Sequence, residues 1–177
     1  MSEVKFTDLV DAVPVDKKTA LRVTVLGGGS FGTAMANLAA RNGCDTMLWI
    51  RDADTAAQMN QTHVNKRYLP DFELEHSLQV TADLEHAVRE RDLILVTIPS
   101  HSFRDVLKQI RPFISSQAVV SLTKGIEAKT FCFMSDIIQQ ELPEIPFGVL
   151  SGPNLAKEIV AGQPAGTVIA SDSELVR

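Results

Sequence analysis

The stretch LRVTVLGGGSFGTAMANLAAR, residues 21–41, decides the fold class of this 177-residue chain. The apolar run at 21–26 has the composition of a β-strand and ends at a glycine. From Ser30 to Arg41 the apolar residues recur at i, i+3, i+4, i+7 and i+8, which is the spacing of one face of an α-helix. The stretch therefore predicts a strand, a tight glycine turn and a helix in direct succession.

The glycines of this turn, Gly27, Gly29 and Gly32, have the G-x-G-x-x-G spacing of dinucleotide-binding turns. The first glycine permits the sharp turn, the second leaves room for a pyrophosphate, and the third lets the helix pack closely on the sheet. Free N–H groups at the helix start, near Ser30 and Phe31, would then face the phosphates. The alternative is a glycine-rich turn without a ligand, but the strand before it and the helix after it favour a cofactor.

The rest of the chain repeats this alternation of apolar strands and amphipathic helices. Further strands are predicted at 45–50, 78–82, 92–99, 118–123, 147–152 and 166–171. Further helices are predicted at 54–61, at 83–89 with Asp83 as cap, around the stripe Phe103, Val106, Leu107 and Ile110, at 131–142 and at 153–161. Because several strands are apolar throughout, we expect a mainly parallel sheet with helices on both faces. We predict a doubly wound α/β domain of the Rossmann type over residues 21–177, after an extension at 1–20.

Composition and charge exclude several other classes of protein. The net charge of −5 argues against a nucleic-acid binder, which normally carries a basic face. No apolar run approaches the ~20 residues of a membrane span, and the first residues do not resemble a secretory signal. Cys44 and Cys132 form no CxxC pair, and the four histidines lack metal-ligand spacing. We therefore expect a cytoplasmic protein with reduced cysteines and no metal site.

The end of the second predicted strand bears on which dinucleotide is bound. NAD-specific sites place an acidic residue there to hold the ribose 2′-hydroxyl. Here Arg51 stands at the strand tip, and its guanidinium could pair with a 2′-phosphate. Asp52 follows directly and keeps NAD open, and Arg51 could also be a solvated surface charge. We predict NADP or NAD as the cofactor, with NADP favoured.

Two later strand ends also carry candidate residues, because ligands bind at the carboxyl ends of parallel strands. After the strand at 92–99, Phe103 could pack against the cofactor and His101 could face the cleft. The alternative is that Phe103 belongs to the buried helix stripe and that His101 is solvated. After the strand at 118–123, the ammonium of Lys124 could attract a phosphate or polarise a carbonyl, unless it is a plain surface charge.

The segment that follows the strand at 147–152 is the last candidate. Gly152 allows close approach of a ligand to the backbone, and Pro153 suits a first helical turn. The N–H groups after Pro153 would then be available to an anion. An ordinary helix start is the alternative interpretation.

Taken together, the segments LGGGSFGTA, LWIRD, YLP, IPSHSF, LTKGIE and LSGPNLAKE resemble bacterial-type NAD(P)-dependent glycerol-3-phosphate dehydrogenases. The resemblance runs from about Leu21 to the end of the chain. It implies reversible hydride transfer between NAD(P)H and dihydroxyacetone phosphate, giving sn-glycerol 3-phosphate for glycerophospholipid synthesis. It also implies site residues. Cofactor contacts would come from the glycine turn with Ser30, Phe31 and Gly32, and from Arg51, Lys124 and Ala156, beside the Phe103 already predicted from its strand end. Substrate contacts would come from Lys124, Gly152 and Asn154.

The resemblance also implies parts that this chain lacks. Members of the family continue into a helical second domain with a catalytic lysine and most of the substrate phosphate site, so we expect no catalytic residue and little activity in this chain alone. Asn154 stands where the family often has Ser or Thr, but an amide can form similar hydrogen bonds. Two alternatives stay open, a hydroxy-acid or ketopantoate-type reductase and a freestanding nucleotide-binding module. The expected partner is the small phosphate substrate, and a homodimer is left open.

Overall fold

The computed structural model describes residues 20–176, and Ala20 is the only described residue of the predicted extension at 1–20. Its strands are β1 (Arg22–Leu26), β2 (Asp45–Trp49), β3 (Gln79–Thr81), β4 (Leu93–Val96), β5 (Ala118–Ser121), β6 (Phe147–Ser151) and β7 (Val168–Ala170). Its helices are α1 (Ser30–Arg41), α2 (Ala53–Thr62), α3 (Leu84–Val88), α4 (Ser100–Ile110), α5 (Met134–Glu141) and α6 (Ala156–Val160), with a 3₁₀ turn at Arg111–Phe113.

The strands form one sheet in the order β3-β2-β1-β4-β5-β6-β7. All neighbouring pairs from β3 to β6 are parallel, and β7 runs antiparallel to β6 at the edge. The chain winds outward from β1 in one direction to β3 and then in the other direction from β4, so the order reverses between β1 and β4. The predicted doubly wound, mainly parallel α/β fold is confirmed.

The core lies on both faces of this sheet, as expected for apolar parallel strands. One hydrophobic cluster joins β4 and β5 to α4 and α5, and a second joins β1 and β2 to α1 and α2. The predicted stripe of α4 is buried in the first cluster, where Phe103 and Ile110 have no exposed surface. Asp83 caps α3 as predicted, because its carboxylate accepts from the N–H of His86 at 2.9 Å.

Two predicted helix starts were wrong. Helix α5 begins at Met134 and not at residue 131, because Phe131 has a positive φ of 59° and Phe133 pairs with Ile126 in an isolated bridge. Helix α6 begins at Ala156 and not at Pro153. Turns outcompete the helix in both places, and apolar periodicity alone does not detect such turns.

Candidate functional site

A cavity of about 750 Å³ opens at the carboxyl edge of the sheet, where the strand order reverses. Residues that follow four strands line it. Gly27 and Thr97 come directly after β1 and β4, Arg51 lies two positions after β2, and Lys124 lies three positions after β5. Open α/β sheets bind their ligands at this position, because the neighbouring loops diverge on either side of the reversal. The cavity is therefore the candidate site, and it brings together residues that are far apart in sequence.

The glycine turn forms one wall of the cavity, and its geometry agrees with the roles predicted for its glycines. Gly27 has a φ of 117°, in the region that only glycine enters readily. A Cβ on Gly29 would meet no atom within 4 Å, so the absent side chain leaves open space at the cavity wall. A Cβ on Gly32 would lie 1.9 Å from the carbonyl oxygen of Gly27. Gly32 is therefore a packing residue that does not line the cavity itself.

The N-terminus of α1 lies at this wall of the cavity. Gly29 is the N-cap residue, no side chain caps the helix, and the first helical bond runs from the N–H of Thr33 to the carbonyl of Gly29 at 2.9 Å. Ser30 and Phe31, the first two helical residues, both line the cavity. An uncapped helix N-terminus with adjacent open space is suited to bind an anion.

Two charged residues, Arg51 and Asp52, follow the end of β2. Arg51 is exposed and lines the cavity. Asp52 caps α2 by accepting from both the hydroxyl and the N–H of Thr55, the latter at 2.7 Å, and these bonds lower the pKa of its carboxyl. Because Asp52 is already used as a helix cap, Arg51 is the more available group for a ligand at this end.

The loop after α2 adds residues that sequence reasoning missed. Asn65, Arg67 and Tyr68 all line the cavity, and the Arg67 guanidinium lies 5.1 Å from the centre of the Tyr68 ring. This loop has no periodic pattern, and only the segment YLP drew attention to it, as part of a family resemblance. Arg67 places a second positive charge in the cavity that contains Arg51.

Lys124 lies at the junction of the main cavity and a smaller one of about 230 Å³. The preceding residue, Thr123, is anchored because its hydroxyl lies within hydrogen-bonding distance of the carbonyl oxygens of Ile98, at 2.9 Å, and Val96, at 3.2 Å. The residue after Lys124, Gly125, has a φ of 102°. The ammonium of Lys124 can therefore reach ligands in either cavity.

A partly buried ionic network holds the loop that follows Lys124. Arg104 donates to Glu127 at 2.8 and 2.9 Å, and to Glu141 at 2.5 Å. The hydrogen bonds from Arg104, followed by that from Thr130, lower the pKa of Glu127 to about 2. The network ties this loop to α4 and α5, and its two carboxylates share one guanidinium.

We expect this network to make the stability of the chain fall in acid. The pKa of Glu127 is lowered in the folded chain from its ordinary value of 4.5 to about 2. Its stabilisation is therefore fully present above pH 4.5 and is lost as the pH falls toward 2. Urea unfolding of Glu127→Gln at pH 7, 4.5 and 3 should show lower stability at pH 7 and a shallower fall in acid. The exposed Glu144 provides the control Glu144→Gln, and the same acid dependence in both variants would contradict the prediction.

The segment after β6 contributes to both cavities. Asn154 lines both of them, Ala156 lines the larger, and Gly152 lines the smaller together with Lys124. The amide of Asn154 donates to the hydroxyl of Thr167 at 3.3 Å. The N–H of Asn154 donates to the carbonyl of Gly152 at 2.8 Å, so it is not free for an anion as the sequence suggested.

One predicted site residue is contradicted by the structure. Phe103 is fully buried in the cluster between the sheet and α4, and it does not line the cavity. Phe103 therefore packs as part of the apolar stripe of α4, and we withdraw the prediction that it contacts the cofactor. His101 is exposed and also lies outside the cavity lining.

Within residues 20–176, no helix is long and apolar enough to cross a membrane. In the same range, no three His, Cys, Asp or Glu side chains form a group that could hold a metal ion. Cys44 and Cys132 are free thiols, and both are partly buried.

A family profile described as the N-terminus of NAD-dependent glycerol-3-phosphate dehydrogenase matches residues 22–176. The chain belongs to this glycerol-3-phosphate dehydrogenase family. It is also 80% identical, over all 177 residues, to a glycerol-3-phosphate dehydrogenase [NAD(P)+] of Acinetobacter baumannii (strain SDF), of which it covers 50%. The chain thus spans about half the length of the curated relatives it matches first.

Solved structures agree with this family assignment. The fold matches a glycerol-3-phosphate dehydrogenase from Coxiella burnetii with a TM-score of 0.82 and 30% identity, covering 89% of this chain and 51% of that chain. A ketopantoate reductase from Ralstonia eutropha reaches a TM-score of 0.60 at 20% identity, covering 75% of this chain and 41% of that chain, and so shares the fold alone. The glycerol-3-phosphate dehydrogenase interpretation is therefore supported over the reductase and over a freestanding module.

Proposed function

We propose that this chain is the NAD(P)-binding part of a glycerol-3-phosphate dehydrogenase and that the cavity at the strand reversal holds the dinucleotide. The observation that carries the proposal is the uncapped N-terminus of α1 beside Gly29, where a side chain is absent and the wall is open. Backbone N–H groups and the helix dipole stabilise a pyrophosphate there without any basic side chain. The residues of the turn therefore fit the dinucleotide that the description of the family names.

The adenosine end of the dinucleotide is assigned to the wall formed by Arg51 and the loop after α2. Arg51 and Arg67 line the same cavity, whereas the carboxylate of Asp52 is engaged with Thr55. Guanidinium groups bind phosphates through paired hydrogen bonds, so this wall favours a 2′-phosphate. NADP is accordingly the preferred cofactor in this proposal, with NAD as the alternative.

The reacting end is assigned to Lys124 and the segment after β6. The bound nicotinamide supplies hydride to the carbonyl carbon of dihydroxyacetone phosphate. The ammonium of Lys124, at the junction of the two cavities, would stabilise the negative charge that develops on the carbonyl oxygen. Gly152 and Asn154 would orient the substrate from the smaller cavity. We assign the proton donor and most of the phosphate site to the part of the relatives' length that this chain does not cover.

The test compares binding with turnover. The 177-residue chain should bind NADPH, measured by fluorescence titration, but should oxidise it negligibly with saturating dihydroxyacetone phosphate. A protein of the relatives' full length that begins with this sequence should turn over, because a positioned acid contributes about 10²–10⁴-fold and substrate positioning contributes more. Absence of NADPH and NADH binding would refute the cofactor assignment. Rates within tenfold of each other would place the chemistry in this chain, with Lys124 as the candidate acid.

Cofactor choice gives a separate prediction. If Arg51 pairs with a 2′-phosphate, the chain should bind NADPH more tightly than NADH, and Arg51→Ala should narrow that gap by about 1.5–3 kcal/mol, the contribution of a charged hydrogen bond. Parallel titrations of both cofactors measure the gap. An equal loss of affinity for both cofactors would mean that Arg51 only stacks on the adenine.

The cellular setting forms part of the same proposal. Production of sn-glycerol 3-phosphate would feed glycerophospholipid synthesis from the cytoplasm, and the small phosphate substrate is the expected partner. A homodimer is a further expectation, which sedimentation of the full-length protein would test.

A further inference from the structure

Asn65 is a buried amide whose polar atoms are all engaged at the cavity wall. Only 2% of the residue is exposed. Its Nδ2 donates to the carbonyl of Gly28 at 3.1 Å and to the hydroxyl of Thr33 at 2.8 Å. Its Oδ1 accepts from the N–H of Tyr68 at 3.2 Å. One side chain thus joins the glycine turn, Thr33 as the fourth residue of α1, and the loop after α2.

The bond to Gly28 sets the direction of a peptide plane. The carbonyl of Gly28 and the N–H of Gly29 belong to one planar trans peptide, and the described residues contain no cis peptide. Because the two groups point in opposite directions, holding the carbonyl on Asn65 holds the N–H of Gly29 away from it. Gly28 and Gly29 have no side chains that could fix this plane, so the restraint must come from a neighbour.

The bond to Tyr68 fixes the other side of the cavity. The carbonyl of Asn65 also accepts from the N–H of Leu69 at 2.9 Å, which closes a tight turn around Arg67 and Tyr68. Both of those side chains line the cavity. The same amide therefore holds two walls of the cavity, the glycine turn and the loop that carries Arg67, in a fixed position relative to each other.

We infer that Asn65 is a positioning residue that couples the two walls of the dinucleotide site, and this inference rests on the proposed function. It orients the Gly28–Gly29 peptide toward the pyrophosphate and holds the loop that presents Arg67. Without the amide, both walls would relax. The site would then bind the dinucleotide less tightly, because its donors would have to become ordered during binding.

The experiment compares Asn65→Ala with Asn37→Ala in the 177-residue chain. Asn37 is the matched control, because it is 5% exposed and its Oδ1 accepts from the N–H of Glu75 at 2.7 Å, which also ties α1 to the segment after α2, but it lines neither cavity. Both variants should lower the melting temperature. Only Asn65→Ala should raise the Kd for NADPH, by roughly tenfold to a hundredfold, the scale of a lost hydrogen bond to a charged group. Equal effects of both variants on Kd would overturn the inference.

Thr33→Val keeps the test decisive if Asn65→Ala does not fold. Thr33 is fully buried and lines neither cavity, so it cannot touch the cofactor, and valine is similar in size. A severalfold rise in Kd would therefore be transmitted through Asn65, whereas a Kd within twofold of wild type would overturn the role. A wild-type chain that binds neither NADPH nor NADH would refute the proposed function and this role with it. Wild-type binding that Asn65→Ala and Thr33→Val leave unchanged would overturn only the role of Asn65.

Discussion

Gly29→Val is expected to abolish binding of NADPH and NADH while the chain stays folded. A Cβ at this position meets no atom within 4 Å, and the backbone of Gly29 is extended, with φ −69° and ψ 178°, which valine adopts readily. The fold therefore has no reason to reject the side chain. The valine methyl groups would occupy the space at the helix N-terminus that we assign to the pyrophosphate, so the backbone N–H groups could no longer reach it.

The measurement is a titration of the folded variant with each cofactor, after circular dichroism and thermal unfolding have shown a native-like state. Gly166→Val is the matched control, because a Cβ added at Gly166 also meets no atom within 4 Å, and Gly166 is exposed and lines neither cavity. That variant should bind with wild-type affinity. Near wild-type affinity of Gly29→Val would contradict the placement of the pyrophosphate.

Gly32 shows why the position within the motif matters. An added Cβ would lie 1.9 Å from the carbonyl oxygen of Gly27 and 2.3 Å from the hydroxyl of Thr97. Any side chain at Gly32 therefore pushes α1 away from β1, and overpacking of this kind typically costs about 1–3 kcal/mol, or more when backbone atoms are involved. Loss of binding in a Gly32 variant would thus report on the fold, whereas loss in Gly29→Val reports on the ligand.

Under the proposed function, Lys124→Met in a protein of the relatives' full length that begins with this sequence should lower the catalytic efficiency with dihydroxyacetone phosphate by about 10²–10³-fold. That is the usual effect of removing one group that stabilises a developing oxyanion. Lys124 is the cation at the junction of the two cavities, and methionine keeps the length of its side chain without the charge. The fall should lie mainly in kcat if the ammonium acts on the transition state, and mainly in KM if it only attracts the phosphate.

Steady-state kinetics over a range of dihydroxyacetone phosphate concentrations, at saturating NADPH, separates these effects. Lys129→Met is the control, because Lys129 is an exposed lysine in the same loop that lines neither cavity. It should retain nearly full activity. Comparable losses in the two variants would mean that Lys124 contributes only surface charge.

The fold class and the phosphate-binding part of the site follow from local patterns in the sequence. The strand, turn and helix of 21–41 are specified by local physics, since an apolar run, a glycine with positive φ and a 3.6-residue periodicity each act over a few neighbours. The order of strand tips in an alternating chain then brings the residues after Leu26, Trp49 and Ser121 to one edge of the sheet. The sequence alone therefore predicts that Gly29, Arg51 and Lys124 belong to one site.

Which other side chains reach that edge depends on contacts between distant parts of the chain. The sequence placed Phe103 both just after a strand end, near the candidate site, and in an apolar helix stripe. Its complete burial against the sheet shows that it is a core residue. Asn65 and Arg67 lie in a loop without periodicity, and their place in the wall depends on hydrogen bonds to Gly28 and Thr33, more than 30 positions earlier in the chain. Local propensity carries no information about such contacts, because their free energy arises only when packing brings distant backbone and side-chain groups within hydrogen-bonding distance.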